Sequence, residues 1–456
     1  MFVRVLTEDQ IRQIHETSLE ILDRIGVHVP HVEVLGRFAD AGASVDHDEQ
    51  RVFIQPDLVE HSLEQAGKTF SIYGRDTKNV AQFGQGERNY NSIAGEALWV
   101  DEQGQERRYA TLEDVATATR FGDALDAINI EGAMSDPHEL PVAMRCVQVM
   151  VTMIKNTTKP IHFWYHDRAS AKYPLCYPFL EPISPLRFAF NGVDLLFETS
   201  RLNLPVPIGP MAQMGMSAPA TVAGTMAQEN AEILAGICIT QLIRPGMPVC
   251  YGGICHAFDM RTTQLIFSGP EQAIFGVAMT EMGKYYGLPV YINVGLTDSK
   301  RPDAQAGMEL GITLALGAAA GADIFGHMGI SGVDQETSLN MLVLQEEGIR
   351  FVESVMREID FSDEALGFSE LEDVGPGGEF IGRDHTVNYF RKELWFPRLL
   401  DREYYDAWLE GGATSMEERC RQRKEEIMAT HETEPISKNL EQALDNIVAA
   451  ARHELL

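Results

Sequence analysis

Basic residues are in short supply in this chain of 456 residues: 37 Lys and Arg stand against 67 Asp and Glu, a formal charge of −30. A surface that acidic repels phosphate backbones and anionic headgroups, which argues against nucleic acid and membrane surfaces as partners. The six cysteines are too few for a disulfide framework in a chain this long, so a reducing cytoplasm is the expected setting. No apolar run reaches the length that spans a bilayer. The opening MFVRVLTEDQ turns polar within seven residues and does not read as a signal peptide. Neither G-x-G-x-x-G nor G-x-x-x-x-G-K-[ST] follows any predicted strand, which counts against Rossmann and P-loop enzymes.

What is present is an ordinary globular composition, 45% hydrophobic and 8% aromatic, with an orderly rhythm. Thr7-Glu8-Asp9-Gln10 has capping-box spacing and opens an amphipathic helix that Gly26 stops. Short alternating runs then continue to about residue 110, among them Asn89-Tyr90-Asn91, and read as an N-terminal α/β extension. From Thr111 short apolar strands alternate with long helices. The candidate strands are 128–131, 161–165, 187–190, 206–211, 249–253, 290–295 and 323–327. Seven strand–helix units in a row point to a parallel sheet covered by helices. The economical reading is a (β/α)8 TIM barrel over 111–390, with an eighth strand near 365–368, and a doubly wound open sheet is the alternative. Residues 391–456 read as a charged helical segment.

In a barrel the chemistry sits where strands end and loops begin. Those places hold His162, Trp164, Tyr165, Tyr251, His256, Asn293, His327 and, after a Gly-rich stretch, His385. Met214 and Ser217 lie in a loop whose Ser-Ala-Pro reads as a helix start, where free N–H groups could hold an anion. This set is rich in aromatics and lacks a nucleophile–base pair. Aromatic faces attract desolvated cations, quaternary ammonium above all. The simpler reading of the aromatics is core filling. Cys250, Cys255 and His256 raise the question of zinc, but C-x4-C-H is not a standard spacing, and no tightly bound metal is expected.

Several stretches together resemble the trimethylamine methyltransferase superfamily: Met214-Gly215-Met216-Ser217-Ala218-Pro219, Asp259-Met260-Arg261-Thr262, Gly269-Pro270-Glu271, Tyr286-Gly287-Leu288-Pro289, Thr297-Asp298-Ser299-Lys300, Gln305-Ala306-Gly307, and Pro376-Gly377-Gly378 with His385-Thr386. The ordered set carries the resemblance. It implies a (β/α)8 barrel and transfer of a methyl group from a methylated amine to the Co(I) of a corrinoid (cob(I)alamin) carried by a separate corrinoid protein. The chain is written with standard residues only, where the trimethylamine enzymes carry pyrrolysine. It therefore resembles the non-pyrrolysine branch, which implies a small zwitterionic quaternary amine such as glycine betaine, and an anaerobic cytoplasm. No acid–base catalyst is required, because a quaternary nitrogen already leaves as a neutral amine. A non-catalytic betaine-binding barrel and a zinc-assisted methyltransferase for methanol or thiols stay as alternatives. Self-association into a homo-oligomer is also compatible with so apolar a chain.

Overall fold

The computed structural model of the protein describes residues 3–100, 106–162, 179–202 and 204–456. The first helix, Glu8–Glu20, forms as its sequence dictates. The Thr7 hydroxyl accepts the Gln10 N–H while the Gln10 side chain accepts the Thr7 N–H. Ser18 on its buried side donates to the Ala227 carbonyl at 2.8 Å, docking it on the long helix Val222–Ile243.

The central strands are β1 (Asn89–Ser92), β2 (Glu131–Gly132), β3 (Ile161–His162), β4 (Val206–Ile208), β5 (Val249–Gly253), β6 (Val290–Ile292) and β7 (Ile324–Met328). Hydrogen bonding runs in the order β4, β5, β6, β7, β1, every pair parallel, and forms a half-barrel. A single parallel bridge from Asn91 to Ile130 leads on to the β2–β3 pair. At the other edge Leu180 bridges Ile208. The helices Val222–Ile243, Pro270–Tyr285, Ala304–Ala320 and Leu339–Met356 follow β4 to β7 in turn. Ala304–Ala320 is built from small residues because it lies close to the sheet: a Cβ on Gly317 would come within 2.8 Å of Ile292 and Val294.

Two expected strands and one expected boundary are corrected. Residues 365–368 lie in the short helices Asp363–Leu366 and Phe368–Val374, so they add no strand to the sheet. The strand beside β7 is β1, from the segment read as an extension, so the boundary at residue 111 cuts through the central sheet. The strand itself reads from Asn89-Tyr90-Asn91, and its polar side chains conceal its place in the central sheet. Asn89 satisfies the Gln82 and Asp323 carbonyls instead of filling apolar core. Residues 187–190 make only isolated bridges through Arg187, and Phe190 opens the helix Phe190–Ser200.

Strand alternation sorts side chains between two environments. Val249, Tyr251, Val290, Ile292 and Phe325 pack toward the helices in the main core. Ile130, Cys250, Tyr291 and Ile324 point the other way and join Phe179 and Ile254. Ala81 and Phe83, from the hairpin Phe70–Tyr73/Val80–Phe83, complete this inner cluster. The hairpin forms a floor at the N-terminal ends of the strands, where the Gly84 N–H donates to Asp323.

Lys159, just before β3, donates to the carbonyls of Gly122, Leu125 and Ile128, each at 2.7 Å, and so caps the end of Leu112–Asp123. Lys438–Leu455 packs Leu444 against Val149 and Met153. Among the described residues no helix is long and apolar enough to cross a membrane.

Candidate functional site

Above the floor the inner face turns polar. Asn91 of β1, His162 at the end of β3, Asn293 just past β6, His327 of β7 and His256 just past β5 are all buried. The Asn91 side-chain nitrogen stands 3.4 Å from His162 Nδ1, and that of Asn293 stands 3.2 Å from His327 Nδ1. Each contact leaves Nε2 to carry the ring proton. His256 stacks on Phe267 at 4.6 Å, and its ring meets the Ile266 backbone but no hydrogen-bonding side chain among the described residues. Burial pushes all three histidines down to about 3, and the charges of His162 and His256 add to the effect on His327. At neutral pH this is a group of neutral N–H donors.

His327 reaches the inner face by a local distortion. Its φ is +71°, in the left-handed region, where a non-glycine residue is uncommon. The β7–β1 register shifts between Phe325 and Met328, so a bulge turns the ring to the side that strict alternation would deny it.

Three carboxylates complete the site. Glu96 follows β1, Glu181 follows Leu180, and Asp334 sits in the turn between Ile330–Ser331 and Glu336–Thr337. That turn holds Gly332, Val333 and Asp334 at successive φ values of 62°, 63° and 60°, a strained run for a β-branched residue. Burial pushes Glu96 up to about 9 and Glu181 and Asp334 up to about 7. The charges of Asp334 and Glu181 raise Glu96 further, and that of Glu181 raises Asp334. None of the three has a cationic partner among the described residues, yet Glu181 is solvent-accessible, as a group on a cavity wall would be. The fully buried Tyr291 hydroxyl feels the charges of Glu181 and Asp334 and lies beside the Asn91 side chain. The result is a concave surface with anionic groups, an aromatic base and neutral donors.

Loops around it are anchored from behind. Glu229, buried on Val222–Ile243, accepts the N–H groups of Ala212 at 3.0 Å and Ile254 at 2.8 Å. Glu232, one turn on, accepts from the Ser184 hydroxyl and the Leu186 N–H.

A family model described as "Trimethylamine methyltransferase (MTTB)" matches residues 1–173 and 165–455. The chain belongs to that family. Among curated relatives, the glycine betaine methyltransferase of Desulfitobacterium hafniense (strain Y51) is 28% identical over 99% of this chain and 98% of its own. The trimethylamine methyltransferase MttB of Methanosarcina thermophila is 28% identical over 96% and 95%. The monomethylamine methyltransferase MtmB of Methanosarcina barkeri is similar in structure, with a TM-score of 0.56 over 93% of this chain and 88% of that one, at 10% identity. That likeness concerns fold alone.

Within this trimethylamine methyltransferase family member, the residues singled out in the sequence divide. His162, His256, Asn293 and His327 come together. Trp164 and Tyr165 lie outside the described residues. Tyr251 points away, its hydroxyl bonded to Asn230 at 2.8 Å in the helix layer, because position 251 has the opposite parity to the inward Cys250. His385 stacks on Tyr389 and meets the Glu364 carbonyl at 3.0 Å, on a helix with no buried residue, remote from the inner face. The helix after β4 starts at Val222 with Thr221 as its cap, so Ser217 is not a helix start; its hydroxyl accepts the Gln213 N–H. Met214 is half-buried beside it. Cys250 and Cys255 belong to different packing clusters, and burial raises both thiols well above their ordinary range. Sequence reasoning missed Glu96, Glu181, Asp334 and the inward Tyr291. A carboxylate in a Gly-rich turn after a strand, as in Ala94-Gly95-Glu96 and Gly332-Val333-Asp334, is the signal that was available.

Proposed function

We propose that the protein is a methyltransferase that removes a methyl group from a small zwitterionic quaternary amine, glycine betaine first, and passes it to a corrinoid on a separate protein. The observation that carries this reading is the set of three carboxylates, without a cationic partner among the described residues, beside a buried tyrosine. Ionised acids crowded together in a partly desolvated site are costly unless neutralised, and a desolvated ammonium does that without needing a hydrogen bond. Its trimethylammonium would sit against Tyr291 and the carboxylates, and its own carboxylate would take N–H donors from His256, His162 or His327. The relatives named for glycine betaine and trimethylamine support the class.

The acceptor, the Co(I) of the corrinoid, supplies the nucleophile. The chain's own residues strip water from the cation, hold one N–CH3 bond in line with the opening and keep the pocket dry. As that bond breaks, its electron pair stays on nitrogen and a neutral tertiary amine results. The positive charge on nitrogen fades, so carboxylates of modest rather than full charge avoid over-stabilising the bound substrate.

The same proposal includes closure of the half-barrel into a (β/α)8 ring. It also includes docking of the corrinoid protein over the C-terminal strand ends and a cytoplasmic, anaerobic setting. A panel of betaines, choline and methylamines with chemically reduced cobalamin tests it. Methylcobalamin should form with glycine betaine and not with trimethylamine. Tight betaine binding with no methylcobalamin would leave a binding protein instead. Equal turnover of trimethylamine would overturn the quaternary-amine reading.

A further inference from the structure

The chain between residues 359 and 410 is unlike the rest of the fold. Its helices Asp363–Leu366, Phe368–Val374, Asp384–Glu393 and Tyr405–Glu410 bury no residue at all. Helices of four to ten residues do not hold in water by themselves, and they persist in proteins because a face is covered. Here the apolar side chains face outward. Phe361, Phe368, Phe390, Phe396, Tyr404 and Tyr405 are 41–90% exposed. The arm is nevertheless tied down near its middle. Arg357 bonds to Glu393, and Arg398 spans Glu346 and Asp126.

Next to the arm lies a vacant apolar groove of about 570 Å³ between Ala304–Ala320 and Leu339–Met356. Its floor is set by Gly307 and Gly311, and its walls by Phe351 and Val355, both largely exposed. The same molecule thus carries an uncovered apolar arm and an unfilled apolar groove.

We propose that a second copy of this chain covers both: the arm of each copy lies in the groove of the other, related by a two-fold axis. A two-fold contact needs a self-complementary surface, which an arm and a groove on one chain provide. Area supports the choice. Six aromatics of roughly 200 Å² each, exposed to this degree, offer about 800 Å² on one partner, the amount a standard stable interface buries per side. Two chains each of charge −30 repel at long range, so apolar contact of this size has to carry their association.

Sedimentation of the full chain at micromolar concentration should give twice the monomer mass. The double substitution Phe361→Asp/Phe368→Asp should halve it. Gly311→Trp should also halve it while leaving the fold intact, since nothing lies within 4 Å of a Cβ at that position. A photo-crosslinker placed at Phe368, in mixed light and isotope-labelled chains, should join the two chains through peptides of 304–356. A monomer at tens of micromolar, or crosslinks confined to one chain, would overturn the proposal. So would an unchanged mass in the Gly311→Trp protein.

Discussion

Tyr291 and Gly326 interlock across neighbouring strands: a Cβ added at 326 would stand 1.8 Å from the Tyr291 hydroxyl. β6 and β7 are parallel partners, and both residues face inward. The only aromatic ring that β6 sends into the site is therefore seated by the absence of a side chain next door. Gly326→Ala should push the ring toward the ligand space, with an overpacking cost of about 1–3 kcal/mol in stability. Binding should suffer more than folding. Calorimetry with glycine betaine should show a loss of about tenfold or more, while the far-UV spectrum keeps its shape.

The carboxylates dictate the sign of a pH dependence. Raised toward 7 and 9, they are partly protonated at neutral pH and ionise as pH rises. A cation binds the ionised form, so affinity should climb between pH 6 and 9, by about tenfold for each pH unit over which one carboxylate is coupled. Binding at pH 7 should expel protons. Titrations in buffers of different ionisation enthalpy would report this directly. Heats that do not depend on the buffer would remove these acids from the cation site.

His256 and His385 should behave oppositely. His256 lies buried on the inner face with no hydrogen-bonding side chain on its ring among the described residues, whereas His385 is already bonded outside the half-barrel. Replacing His256 by Phe keeps the ring stack on Phe267 and removes the N–H. Betaine binding should fall by about 10–100-fold, the value of one hydrogen bond to a charged group. Choline, which has no carboxylate, should change about threefold or less on the same scale. His385→Ala should leave both constants where they were.

Lys159 offers a test of architecture apart from chemistry. It satisfies three carbonyls, and its charge acts on the buried Glu131, which burial holds at about 8. Lys159→Met strips partners from all of them at once and should cost about 3 kcal/mol in urea unfolding. Glycine betaine affinity in the surviving folded fraction should be little affected.

The units after residue 200 were legible because β5, β6 and β7 are apolar runs between long helices, the pattern of a buried parallel strand. β1 is legible as a strand but its place in the central sheet is not, since its inward positions are asparagines that bond to backbone and side chains. Parity explains the errors at single residues. Tyr251 and Tyr291 look alike in sequence, and only the alternation of their own strands sends one to the helices and the other inside. The sequence places His327 only at the end of a strand, because the bulge that turns its ring inward leaves no mark in composition. Glu96 and Asp334 went unnoticed because acids in glycine-rich turns are common on surfaces, and their role depends on three loops distant in sequence meeting.

Phe70 and Phe83 stack at 4.3 Å in the hairpin beneath the inner cluster. Among the described residues that end is stoppered, which directs traffic to the opposite opening. If the proposed acceptor protein docks over that opening, the amine has to be aboard before the entrance is covered, and the demethylated product has to wait until the acceptor has left. Turnover then follows a compulsory queue: small molecule first in, small molecule last out. The acceptor protein should accordingly slow the escape of a bound betaine.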